Sequence, residues 1–327
     1  MSLDADYIVD RRRLRRKLTL WRVLAVLLAM VAIVAVAARL ARPDLALGEG
    51  AGSYMARVSI RGLIRNDQER TESLDRLAKS RARAVIVHID SPGGTAAGAE
   101  QLYASLRDVA AKKPMVIVVD GLAASGGYIA ALAGDHVVTR SAGLLGSIGV
   151  LFQYPNFADL MKTLGVKVEE VKSSPLKAAP NGFEPTSPEA RAAIEAIVKD
   201  SYAWFRGLVK DRRKLDDALL ERVADGRVFT GRQAIELKLA DELGGEDAAI
   251  AWLAREKNID AKWPVRDWRL QSRFGDLDFL HLAMVTAFDA VGLRSLARRI
   301  EDSAALQTIE KLNLDGLLAV WHPAIPD

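Results

Sequence analysis

Three kinds of hydrophobic pattern divide the chain. Val23 to Ala38 is an unbroken apolar run of 16 residues, extended on its N-terminal side by Leu18, Leu20 and Trp21. From Tyr54 onward the apolar stretches are shorter. Tyr54 to Ile60 alternates as a half-buried strand does, Ala84 to Ile89 and Met115 to Val119 have the length and β-branched content of buried strands, and His136 to Thr139 is a shorter fourth. Between the second and third, Leu102, Leu106 and Val109 fall on one face of a helix over Ala96 to Ala111, and Pro114 ends the segment. Strand, helix and strand repeated in this way predict a parallel α/β sheet, whose chemistry belongs in the loops at the C-terminal ends of the strands.

In the second half, Ser187-Pro188 opens a long helix by N-cap and first-turn logic, with Ile194, Val198, Phe205 and Val209 as its buried stripe. Thr230 to Gln233 matches a capping box and starts a helix that ends near Leu239. Past Ala251 the pattern weakens, and Trp252, Trp263, Trp268 and Trp321 are assigned to no element. Phe279 to Ala297 is apolar, but Asp289 and Arg294 within it favour packing against the body or a neighbouring subunit over a membrane surface. The expected organisation is a basic segment over 1–22, an anchor over 23–40, a linker over 41–53, a folded body over 54–250 and an extension over 251–327.

Composition changes this picture at one point. The 327 residues carry 46 Lys+Arg against 42 Asp+Glu, and residues 1–22 hold seven basic residues against three acidic ones. The remaining 305 residues are balanced at 39 of each, so the basicity gives no support to nucleic-acid binding. It belongs instead beside the apolar run. A 16-residue helix spans ~24 Å against a hydrocarbon core of about 30 Å, and Arg22 can snorkel, so Leu18 to Leu40 can cross a bilayer. Positive residues stay on the cytoplasmic side, which predicts a single-pass protein of the bacterial inner membrane with its body in the periplasm. A cleaved signal peptide ending near Ala35-Val36-Ala37 is the competing reading, and Arg11-Arg12 also fits a twin-arginine signal. The chain has no cysteine, which excludes disulfides, thiolate metal sites and a cysteine nucleophile.

Two glycine pairs follow two of the apolar runs: Asp90-Ser91-Pro92-Gly93-Gly94, and Gly121 to Tyr128 with Ser125-Gly126-Gly127 at its centre. Glycines after a strand let backbone N–H groups approach a bound atom, and a helix start favours developing negative charge. Ser125 at the start of an Ala-rich helix is therefore a candidate nucleophile beside an oxyanion hole; the plainer reading is a helix-capping serine. A serine nucleophile needs a base. Of the four histidines, His88 and His136 lie in strand patterns and His281 and His322 in the extension, so a Ser-His-Asp triad has no sequence support. Lysine is the remaining option, and it must be neutral to act. Lys177 stands in a stretch, Val171 to Pro180, free of carboxylates, which ranks it slightly above Lys172 and Lys167.

These segments, together with Gly146-Ser147-Ile148-Gly149-Val150, Phe183-Glu184-Pro185 and Asp225 to Gly231, resemble signal peptide peptidase A over roughly Tyr54 to Gly245. The resemblance implies an α/β, crotonase/Clp-protease-like fold with an N-terminal transmembrane helix, in the short form that assembles as a homo-oligomer. It implies Ser125 as nucleophile, Lys177 as general base, Ser147 beside the lysine amine, and Gly93, Gly94 and Gly126 at the oxyanion hole, with no cofactor or metal. The implied substrates are peptides: cleaved signal peptides and other unfolded segments at the membrane. Where the family usually ends the helix after Thr230 with glycine, this chain has Lys238. Two other classes share the fold: a catalytically idle membrane assembly protein, and an acyl-CoA enzyme whose oxyanion hole stabilises an enolate.

Overall fold

The apolar runs become the centre of a parallel sheet. In the computed structural model, which describes residues 52–270 and the backbone of 317–320, β1 (Tyr54–Ile64) pairs with β2 (Ala82–Thr95), β2 with β3 (Met115–Ala124), β3 with β4 (His136–Thr139) and β4 with β8 (Glu242–Leu243), all in parallel. A further parallel strand, β9 (Val265–Trp268), lies on the outer side of β1. The anchor expected at 23–40, the basic segment 1–22, most of the linker and the apolar stretch Phe279–Ala297 lie outside the described residues. No helix among the described residues is long and apolar enough to cross a membrane.

Alternation along the central strands sends side chains to two cores. Val85, Val87 and Ile89 of β2 and Met115, Ile117 and Val119 of β3 face one layer; Ala84 and Ile86, with Val116 and Val118, face the other. The first layer holds α1 (Gln68–Lys79), α2 (Ala96–Ala110) and α3 (Gly126–Ala131), joined by the Phe205 and Val209 end of α5 (Pro188–Arg213). The second holds α8 (Glu246–Lys257), whose Ala249, Trp252 and Leu253 are buried. Helices on both faces explain why these strands read as continuous apolar runs.

The helix starts follow the sequence closely. Ser187 accepts from the Ala190 N–H with Pro188 in the first turn of α5, and Thr230 and Gln233 form both halves of a capping box at α7 (Gly231–Glu236). The buried stripe of α5 is shorter than expected: Phe205 and Val209 are buried, while Ile194 and Val198 are only partly covered. The boundary expected at residue 250 falls inside α8. Trp252 stacks on His136 with ring centroids 4.7 Å apart, and the Trp268 indole N–H donates to Ser73, so two of the unassigned tryptophans belong to the body.

A larger difference lies at the first glycine pair, expected as a turn. Instead β2 continues through Ser91 to Thr95, with Leu63 opposite Gly93 and Ile64 opposite Gly94. The strands approach so closely there that a Cβ on Gly94 would sit 1.7 Å from the Ile64 carbonyl oxygen. Glycine is needed here for proximity rather than for a reversal. β3 also runs past its apolar run, leaving β4 to pair its last residues with β5 (Leu144–Gly146), which is backed in turn by antiparallel β7 (Val228–Thr230). On the far side of β2, β10 (Leu317–Val320) runs antiparallel to Gly93–Thr95 and joins it to β6 (Leu151–Phe152).

Candidate active site

Ser125 is placed by the end of β3. Its N–H donates to the Gly146 carbonyl at 2.8 Å, continuing the β3–β5 ladder, and the chain then turns at once into α3. The turn gives Ser125 φ 54° and ψ −117°, a conformation that costs a non-glycine residue on the order of 1–3 kcal/mol. Its side chain makes no capping hydrogen bond, so the helix-cap reading does not hold. What holds the strained turn is packing. Ser125 is 1% exposed, α3 is wholly buried, the Tyr128 hydroxyl donates to the Leu239 carbonyl at 2.9 Å, and burial pushes the pKa of that hydroxyl up. A Cβ on Gly127 would meet the Ser91 carbonyl oxygen at 2.6 Å, so α3 starts in direct contact with the extended end of β2.

The structure therefore brings Ser125, Gly126, Gly93 and Gly94 into one neighbourhood on adjacent strands. Within it, Ser91 is a residue that the sequence does not single out. Its buried hydroxyl donates to the Gly62 carbonyl at 2.7 Å and accepts from the Gly93 N–H at 3.1 Å. The Gly93 amide is thus engaged by Ser91, and Gly94 and Gly126 are the two candidate oxyanion donors without such a side-chain partner. The only sequence signal for Ser91 is its place beside Pro92 in the first glycine segment.

Ser147 follows Gly146, just past the end of β5, the strand that pairs with the end of β3. Its φ is 51°, its N–H donates to the Arg227 carbonyl at 2.8 Å, and it is 8% exposed. It opens into a cleft of about 380 Å³ bordered by Val150, Leu151, Val198 and Tyr202. The lysine that a single chain brings to this cleft is Lys199, exposed and 3.9 Å from Glu195.

Lys177 has a different setting from buried Ser125. It is exposed, on a segment between β6 and α5, and no hydrogen bond links its amine to Ser125 or Ser147 among the described residues. The same segment separates it from its nearest rival. Lys172 is 2.5 Å from Glu170 and 2.7 Å from Glu184, and those hydrogen bonds raise its pKa, fixing it as a cation. Both ring nitrogens of His88 lie 2.9 Å from carboxylates, Asp120 and Glu246, and His136 is 3.2 Å from Glu242; among the described residues, neither histidine bonds to Ser125. His281 and His322 lie outside the described residues.

A strained, buried serine at a strand-to-helix turn, facing a glycine-rich strand end, is a geometry suited to covalent catalysis. The description Peptidase family S49 matches residues 107–260. The Synechocystis sp. protein "Putative protease slr0021" is 33% identical over 208 residues, covering 63% of this chain and 75% of that one. The Enterococcus faecium "Putative signal peptide peptidase SppA" is 29% identical over 198 residues, covering 59% and 57%. A solved mutant of ClpP1 from Listeria monocytogenes is 14% identical, with TM-score 0.39 over 58% of this chain and 91% of that one, a likeness too distant to argue from. The chain belongs to peptidase family S49, the family of the signal peptide peptidase A proteins.

Proposed function

We propose that the protein is a serine endopeptidase in which Ser125 is the nucleophile and Lys177 of a neighbouring copy is the general base. The observation that carries this reading is the strained Ser125 turn, held by buried packing and offering its hydroxyl to no other group among the described residues. Ser125 Oγ attacks a peptide carbonyl while the neutral Lys177 amine takes its proton. The N–H groups of Gly94 and Gly126 stabilise the oxyanion, and the protonated lysine passes its proton to the leaving amine. Water then hydrolyses the ester, with the lysine again as base, and frees Ser125. Ser147 fixes the incoming amine.

Assembly is supported by where the apolar surface lies. Phe157, Leu160, Leu164, Val166, Val171 and Phe183 are all exposed on the segment that carries Lys177. Surface of this kind marks an interface, and a second copy covering it would carry Lys177 out of solvent, where desolvation favours the neutral amine. The expected anchor at 23–40 would hold the body at the periplasmic face of the inner membrane, with signal peptides and unfolded segments as substrates; the crotonase/Clp-protease-like class of the fold is part of the same proposal.

Hydrolysis of an unfolded, fluorophore-quenched peptide tests the assignment. Ser125→Ala and Lys177→Ala are expected to abolish it, and Lys199→Ala to leave it. Mixing the two inactive variants restores activity if serine and lysine come from different copies. Full activity in either Ser125→Ala or Lys177→Ala would falsify the reading.

A further inference from the structure

The helix that starts at Ser125 is held at its other end as well. α3 is followed by three successive carbonyls, those of Leu132, Ala133 and Gly134, in a buried turn. Buried carbonyls need donors, and two arginines from two other helices supply them. Arg212, in the last turn of α5, donates its Nε–H to the Leu132 carbonyl at 2.7 Å and an Nη2–H to the Gly134 carbonyl at 2.8 Å. Arg107, in the last turn of α2, donates to the Ala133 carbonyl between them at 2.7 Å. The turn also rests on β3, since a Cβ on Gly134 would meet the Ile117 side chain at 2.5 Å.

These arginines are placed for their donors rather than for ion pairing. Both are half-buried, and neither pairs with a carboxylate among the described residues. Burial, and then the like charge of Arg107, lower the pKa of Arg212, so its cation is kept there at a cost. The contact reaches Ser125 through an unbroken run of hydrogen bonds. The Ser125 carbonyl accepts from the Tyr128 N–H at 2.9 Å, the Tyr128 carbonyl from the Leu132 N–H at 3.0 Å, and the Leu132 carbonyl from Arg212. A helix of six residues has less than two turns in which to absorb a shift, so a displacement at Leu132 arrives at Gly126 and at the strained Ser125. We infer that Arg212 is a positioning residue: from outside the active site it fixes α3, and with it the places of the Ser125 hydroxyl and the Gly126 N–H. The inference rests on Ser125 as the nucleophile for its kinetic consequence, but not for the clasp itself.

Arg212→Met keeps an apolar stem and removes the donors. It is expected to lower kcat for the quenched peptide by about ten- to a hundredfold, with KM within about twofold, the loss that a small misplacement of reacting groups produces. Arg212→Lys keeps the charge but not the fork, and is expected to stay well below the parent. The site opens on a cleft of about 360 Å³ bordered by Leu132, Gly134 and Lys214, so ethylguanidinium is expected to raise kcat of Arg212→Ala several-fold and ethylammonium to leave it unchanged. Hydrogen exchange read by mass spectrometry follows the clasp independently of activity: in Arg212→Met the amides of 128–134 are expected to exchange faster, with those of 84–89 and 115–119 unchanged. Full hydrolysis by Ser125→Ala, beside that local loss of protection in Arg212→Met, would remove the Ser125 assignment and leave the clasp standing. Parent kcat in Arg212→Met, full activity in Arg212→Lys, or faster exchange throughout the core strands would overturn the inference.

Discussion

Two neighbouring regions of this chain are built to opposite standards. The shell around Ser125, from Ser91 to Ser147, is buried, tightly packed and paired strand to strand. The segment from Leu151 to Phe183 leaves nine large hydrophobic side chains exposed and has no helix longer than α4 (Ala158–Thr163). One chain is sufficient to shape the Ser125 turn, because the central strands supply both strain and its support. It is not sufficient to bury the segment that carries Lys177. The difference separates what folding accomplishes in one copy from what we assign to association.

The sharpest way to break this contrast is to add one methyl group on each side. Gly94→Ala drives its Cβ into the Ile64 carbonyl and is expected to destabilise by on the order of 4 kcal/mol, an exceptional loss for one residue, read as a collapse of Tm and of activity. Gly165→Ala, at φ 71° with nothing within 4 Å, should cost only about 1–2 kcal/mol, from its left-handed backbone alone. Charges on the exposed segment act differently again. Leu164→Asp with Phe183→Asp is expected to shift the protein to smaller species in sedimentation and abolish peptidase activity, while the monomer's denaturation midpoint stays within about 0.5 kcal/mol of the parent. A large drop in that midpoint would mean that the segment is covered within one chain.

A smaller effect probes the layer beneath the Ser125 shell. Glu246 joins Arg57 and His88, and its carboxyl is held below the ordinary value of 4.5, first by the hydrogen bond from Arg57. A carboxylate depressed in the folded state stabilises fully above its unfolded value, and that contribution is lost as pH falls through the folded one. Arg57→Met is therefore expected to lower Tm at pH 7, and the gap to the parent to narrow as pH drops below about 4.5. The smallest expected change is a gain. Lys238 holds φ 58° just after α7, and Lys238→Gly should stabilise by about 1 kcal/mol in denaturant titration.

Four strands of the parallel sheet and the helix starts at Ser187 and Thr230 are legible in the sequence because each rests on local physics: buried β-branched runs, a proline in the first turn, a capping box. The place of Ser125 at a strand-to-helix turn is legible for the same reason, since it stands between a strand pattern and an Ala-rich helix. The glycine pair at 93–94 reads as a turn because a glycine that admits a neighbouring strand looks the same in sequence as one that reverses the chain. The boundary at residue 250 fails through mixed patterning: α8 buries only Ala249, Trp252 and Leu253 of its twelve residues, and its amphipathicity is faint. Lys177 ranks over Lys172 only weakly from neighbouring charge, because Glu184 pairs with Lys172 from 12 residues away. The pairing of residues 317–320 with β2 joins positions more than 220 apart, beyond the reach of any local pattern.

That distance has a temporal meaning. A chain made from its N-terminus completes β1 to β5, and with them the Ser125 turn, long before residue 317 is synthesised, and domains fold as units as they emerge. At about 5–20 residues per second, the roughly 50 residues after β9 take some 2–10 s to follow. Each newly made molecule therefore passes through a stage at which the edge of β2 is formed and empty. Among the described strands, the one that closes the sheet is the last to be written.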